Sequence, residues 1–197
     1  MFQVSRDNPA YYLTSVAHNR LPIFRTDAVK QIVANEFDEA RRSAGILIFA
    51  YVIMTDHTHI LTDNARTMKD ALRFINGISA KRVVDYLKEN KYEESLRKLR
   101  IQERENRHKY SVYEHHPNAL RITGEDAFMQ KVSYIHLNPV RAGLVEHPDE
   151  YLYSSAGSGM KDLWRMNLYL WIETRSSGGI AARVNIALTE KAELFRK

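Results

Sequence analysis

The run His57-Thr58-His59 holds two imidazoles separated by a single residue. On a strand, alternate side chains share a face, so both imidazoles point one way and Thr58 the other. Spaced about 6–7 Å apart along that strand, they can converge on one metal ion. The chain has eight histidines, so one such pair is unsurprising, and two locally bonded, half-exposed histidines are its ordinary reading. A third group raises the odds. Tyr134 and Asn138 lie four residues apart, which stacks them on one face of a helix, away from the stripe of Phe128, Val132 and Ile135. A phenol and an amide oxygen then project together. Tyrosine at such a place most often packs with its hydroxyl satisfied, yet it is also one of the few side chains that form a covalent phosphoester.

These residues need rigid elements beneath them. Tyr11 to Val16 is rich in tyrosine and β-branched residues and reads as a strand. Thr26 or Asp27 then caps a helix whose Val29, Ile32, Val33, Phe37 and Ala40 recur at helical spacing, and Gly45 ends it. Ile46 to Met54 is nearly all apolar, as expected of a strand buried on both faces, though a short buried helix fits the same run. Thr55-Asp56 turns the chain into a partner strand, His57 to Thr62. A long helix follows from about Thr67 to Leu87, with Met68, Leu72, Ile75, Val83 and Tyr86 on its apolar side and Lys69, Arg73, Asn76 and Lys81 or Arg82 on the other. The mixed-charge stretch Lys88–Lys109 reads as a solvated helix or mobile insertion. Tyr110 to Ile122 returns to β-like content. Gly124 to Leu137 reads as a helix stopped by Asn138-Pro139. The order β-α-β-β-α-β-α describes an α+β sandwich, an antiparallel sheet with helices packed on it.

Composition narrows the functions. The 197 residues fit one domain with a short appendage, and 44% apolar content suffices for a packed core. The absence of cysteine excludes a disulfide scaffold, a thiolate zinc site and a cysteine nucleophile. No run approaches the roughly 18 apolar residues of a membrane span, so a soluble cytoplasmic protein is expected, with no membrane partner. The net charge of +5 and pI near 9.3 favour a polyanionic partner, and nucleic acid is the commonest.

Two stretches resemble a known family. The run from Tyr51 to Leu61, centred on His57-Thr58-His59, resembles the HUH signature of single-tyrosine transposases. The run from Val132 to Val145 is similar to the catalytic helix and its exit in the REP-associated tyrosine transposases, and Pro148-Asp149-Glu150-Tyr151 with Ser154-Ser155 resembles the same branch. The resemblance spans roughly Tyr11 to Ala156. It implies a domain over 1–156 with a charged insertion at 88–109, a C-terminal appendage at 157–197, and a palm-like, ferredoxin-like antiparallel sheet with the histidine pair on a central strand. It implies metal ligation by His57, His59 and Asn138, with Mg²⁺ or Mn²⁺ as the working ion, and a nucleophilic Tyr134 that forms a 5′-phosphotyrosine on single-stranded or hairpin DNA. Relatives include monomers and dimers, so a homodimer is possible. Two departures stand out: Thr55-Asp56 replaces the usual Pro-Asn before the first histidine, and Thr58 replaces a bulky apolar residue.

From the exposed side of the long helix, Arg73, Lys81 and Arg82 are candidates for phosphate contact, and Arg141 beyond the catalytic helix is another. Lys131, one turn before Tyr134, can lower the tyrosine pKa or simply be a solvated lysine. Tyr110 and Tyr113 can stack bases but read first as structural. Two other functions share these residues: a hydrolase in which the histidines hold a metal and water attacks, and a DNA-binding relative without activity.

Overall fold

The computed structural model describes residues 4–101, 109–115 and 118–156. The appendage expected at 157–197, positions 116–117 and positions 102–108 of the charged stretch lie outside the described residues. Four strands, β1 (Ala10–Val16), β2 (Ile48–Ile53), β3 (His57–Thr62) and β4 (Asn118–Ile122), form one antiparallel sheet in the order β2-β3-β1-β4. The helices are α1 (Asp27–Ala44), α2 (Met68–Glu89), α3 (Glu93–Leu99) and α4 (Glu125–Arg141). With the short α3 set aside, this is the β-α-β-β-α-β arrangement of ferredoxin-like sandwiches, followed by α4.

The local signals act as their chemistry dictates. Thr26 caps α1 by accepting from the Val29 amide, and Thr67 caps α2 by accepting from the Asp70 amide. Gly45 ends α1 in the left-handed region at φ 66, which costs a glycine nothing. Every residue of β2 is buried, which settles the apolar run as a strand. A bulge between Ile48 and Ala50 lets β2 serve both layers. Phe49 packs edge-on against Phe128 of α4, while Tyr51 packs against Phe37 of α1 on the opposite face. The exposed edge of β2 is covered by residues 151–155. The Ser155 amide donates to the Tyr51 carbonyl and the Ile53 amide to the Tyr153 carbonyl, and the Tyr151 hydroxyl donates to the Ile53 carbonyl.

Three readings of the sequence need correction. Pro139 does not stop α4, which runs on to Arg141. Proline lacks the amide for one rung only, in the last turn, and the stop comes from Gly143 at φ 68, with the Gly143 and Leu144 amides donating back to Val140 and Pro139. Part of the charged stretch is packed rather than solvated: α3 buries Leu96 and Leu99. Asn76 does not face solvent. It is half-buried, and its side chain donates to the Ser15 hydroxyl of β1 at 2.8 Å, because α2 lies across that face of the sheet.

Thr58 shares the α1–α2 face with Ser15, opposite the histidines. It is 1% exposed and its hydroxyl has no hydrogen-bond partner among the described residues. A buried hydroxyl left unmade costs free energy that an isosteric methyl does not. Thr58→Val is expected to raise stability by about 1 kcal/mol. The readout is a higher urea midpoint with an unchanged slope, and a lower midpoint refutes it.

Candidate active site

The β1–β3 register pairs Thr14 with His59 and Val16 with His57. His57 and His59 therefore lie on the sheet face that α4 covers, with ring centroids 4.8 Å apart. Tyr134 of α4 reaches this face, its ring edge-on to His59 at 5.4 Å. Tyr12 of β1 stacks on His59 at 5.5 Å and meets Tyr134 edge-on at 6.3 Å. His59 Nδ1 lies 2.9 Å from both the Tyr12 and the Thr14 hydroxyls. His57 Nδ1 donates to Asp56 Oδ1 at 2.6 Å. Both imidazoles thus use Nδ1 for protein contacts, and neither Nε2 has a hydrogen-bond partner among the described residues. Metal-binding histidines are held this way, one ring nitrogen engaged and the other open.

Cations crowd the tyrosine. Lys131 Nζ sits 4.6 Å from the Tyr12 ring centroid and 5.6 Å from that of Tyr134, and the Arg141 guanidinium lies 5.2 Å from the Tyr134 ring. Neither cation forms an ion pair among the described residues. Lys131 is half-buried against two phenol rings, so the reading of a solvated surface lysine falls away. Burial holds the Tyr12 hydroxyl up at about 12, which makes it a hydrogen-bonding group rather than an anion at neutral pH.

Asn138 is half-buried on α4, one turn beyond Tyr134. The structure separates the other expected residues from this cluster. Arg73, Lys81 and Arg82 sit on α2, across the sheet. Arg82 is bound at 2.8 Å to Glu36, a buried carboxylate of α1, and so ties the two helices together. Lys81 pairs with Asp85 at 2.8 Å. Arg73 and Lys81 line a groove of about 860 Å³ with Lys88, Lys109 and Tyr110. Tyr113, by contrast, is structural: it is buried, with its hydroxyl 3.0 Å from that of Ser79. Tyr12, Thr14 and the Asp56 contact were missed from sequence. The alternation of Tyr12 and Thr14 was a usable signal once β1 was placed beside β3. Among the described residues no three His, Asp or Glu side chains cluster to hold a metal.

The histidine of α4 fixes the helix rather than the chemistry. His136 Nε2 lies 2.8 Å from the Ser155 hydroxyl, which in turn accepts from the Tyr51 amide of β2. Burial takes His136 from its ordinary 6.5 down to about 4. Burial takes His59 down to about 3, with His57 and Lys131 adding to the effect and Asp56 opposing it. Both rings are neutral at pH 7. In the unfolded chain they take up protons near pH 6.5, whereas the folded, metal-free chain resists until well below. Their contribution to stability is complete above that pH and is lost as pH falls toward 4. Each adds a slope of about 1.4 kcal/mol per pH unit in this window. His136→Gln is expected to halve the histidine-linked loss seen in urea melts between about pH 6 and about pH 5; an undiminished loss contradicts this.

The chain matches the model of the IS200-like transposase family over residues 5–114. Among solved structures it is similar to a REP-associated tyrosine transposase bound to a REP hairpin, at 13% identity and a TM-score of 0.55, covering 78% of this chain and 79% of that one. It also matches a crystal structure of a Deinococcus radiodurans protein assigned as a transposase, at 17% identity and a TM-score of 0.45, over 65% and 88% of the two chains; at that score the likeness adds nothing to the fold. No curated protein sequence matches. Among the described residues no helix is long and apolar enough to cross a membrane. The first of these structures has the same α+β fold, and the family match spans more than half of the chain: the protein belongs to the IS200-like family of transposases, enzymes of DNA transposition.

Proposed function

We propose that this transposase cleaves single-stranded DNA with Tyr134 and rejoins it through a covalent 5′-phosphotyrosine. The observation that carries this reading is the packing of Tyr134 against His59, with Lys131 and Arg141, which form no ion pair among the described residues, beside its ring. The Tyr134 oxygen attacks phosphorus, the phosphotyrosine bond forms, and the bond to the 3′ oxygen breaks. The proton lost by the phenol is taken up by the leaving 3′ oxygen through solvent. Attack by a 3′-hydroxyl on the phosphotyrosine reverses these steps and releases Tyr134. One phosphoester replaces another, so no nucleotide hydrolysis is needed. Lys131 and Arg141 supply positive charge where the phosphoryl oxygens gather negative charge.

The donors fit a divalent ion. His57 and His59 would hold it through their open Nε2 atoms, and the Asn138 amide oxygen would be the third ligand. Imidazole and neutral oxygen leave room for phosphate and water, which suits Mg²⁺ or Mn²⁺. Bound there, such an ion would supply Lewis-acid polarisation of the scissile phosphate. The substrate class is a hairpin with a single-stranded flank, following the REP hairpin carried by the similar structure. Arg73 and Lys81, with Lys88 and Lys109 in the same groove, would grip phosphates on the other side of the sheet.

Two measurements test this. Incubated with hairpin-plus-tail DNA and Mn²⁺, the protein is expected to form a detergent-stable DNA adduct that Tyr134→Phe abolishes. An adduct that persists in Tyr134→Phe sinks the assignment of the nucleophile, and cleavage by water without any adduct favours a hydrolase. The double variant Arg73→Ala, Lys81→Ala is expected to weaken DNA binding and to flatten its salt dependence by about 1 log unit per lost phosphate contact. Adduct formation at saturating DNA should stay intact. A salt slope unchanged by the double variant removes the groove from the binding surface.

A further inference from the structure

The turn that delivers His57 is braced more heavily than a two-residue hairpin requires. Asp56 is half-buried, and its Oδ1 accepts from His57 Nδ1 at 2.6 Å. Its Oδ2 accepts from the Arg20 guanidinium at 3.3 Å. The Asp56 backbone carbonyl accepts from the Ala17 amide at 2.7 Å, which fixes the residue to the end of β1. Arg20 reaches Asp56 because Asn19 and Arg20 both lie in the left-handed region, at φ 53 and φ 50. Two successive non-glycine residues there are strained and persist only where the surroundings hold them. Here Glu114 holds them, accepting from the Asn19 amide at 2.6 Å. A strained corner and an arginine thus brace the carboxylate that holds one ring nitrogen of His57.

The two imidazoles are consequently not equivalent. His59 is backed by neutral hydroxyls, those of Tyr12 and Thr14, whereas His57 is backed by a carboxylate. A carboxylate on the distal nitrogen keeps the proton on Nδ1, orients the ring and strengthens the donor character of Nε2.

We propose that Asp56, held by Arg20, is a positioning residue that fixes His57 as the Nδ1–H tautomer and makes it the stronger of the two metal-binding imidazoles. The inference rests on the reading of His57 as a ligand and deepens it.

The test needs no DNA. Imidazole nitrogen NMR of the metal-free full chain at about neutral pH reports the His57 tautomer, and calorimetric titration with Mn²⁺ reports affinity. Asp56→Ala is expected to lose the fixed Nδ1–H tautomer and to bind Mn²⁺ roughly 10- to 100-fold more weakly. The isosteric Asp56→Asn, a safeguard should the alanine variant fail to fold, is expected to keep the tautomer and still lose several-fold in affinity. Arg20→Ala should weaken binding less than either. A wild-type tautomer and affinity in Asp56→Ala overturn the proposal, as does full affinity in Asp56→Asn. If Mn²⁺ affinity falls as expected while no DNA adduct ever forms, the strand-transfer reading fails and this one stands.

Discussion

The pairing register of β1 with β3 is the constraint on which the site depends. It sets His59 opposite Thr14 and His57 opposite Val16, and so places both imidazoles under α4. A slip of one residue would send them into the α1–α2 layer and bring Thr58 to the chemistry. The register is enforced from both sides. On one face, Ile60 is buried in the α1–α2 core. On the other, the hydroxyls of Tyr12 and Thr14 meet the His59 ring. The orphaned Thr58 hydroxyl measures how firmly the arrangement is held, since a buried polar atom is tolerated rather than turned outward.

The second requirement is that α4 stay fixed relative to the sheet. Phe128 keys into Phe49, which the β2 bulge turns toward the helix. His136 meets Ser155, and Ser155 is bonded to Tyr51 of β2. Tyr134, Lys131 and Arg141 are therefore carried on a helix anchored at several points. Rigid elements place catalytic groups more accurately than loops do. The sheet itself separates two environments: a half-enclosed cluster of histidine and tyrosine flanked by Lys131 and Arg141 on one face, and the basic groove lined by α2 on the other.

Much of this was legible in the sequence because it follows from periodicity. The alternation His57-Thr58-His59, the all-apolar β2 and the threonine caps of α1 and α2 each encode their own geometry. The four-residue spacing of Tyr134 and Asn138 does the same. What the sequence concealed is tertiary. Arg82 looks like a free surface cation until α1 brings the buried Glu36 beside it. Asn76 looks solvent-facing until Ser15 lies beneath it. Leu96 and Leu99 are a single apolar turn inside a charged run, too short to register as a period. Pro139 was misread because a proline in the final turn costs one rung, whereas in mid-helix it would break the ladder. Asp56 stood in plain view beside His57, but nothing local reveals that Arg20, thirty-six positions earlier, closes on it.

The cover over the edge of β2 also bears on how the chain is made. The bonds from Tyr51 and Ile53 to residues 153 and 155 join positions about a hundred apart in the sequence. On the ribosome, β2 can pair with β3 as soon as the hairpin emerges, but its other side must wait for the segment beyond α4. Throughout that interval an apolar strand presents unpaired amides and carbonyls, the kind of surface that recruits other chains. Late, long-range closure of this sort slows folding. The segment that steadies α4 in the finished protein is thus also the one that ends its most aggregation-prone stage.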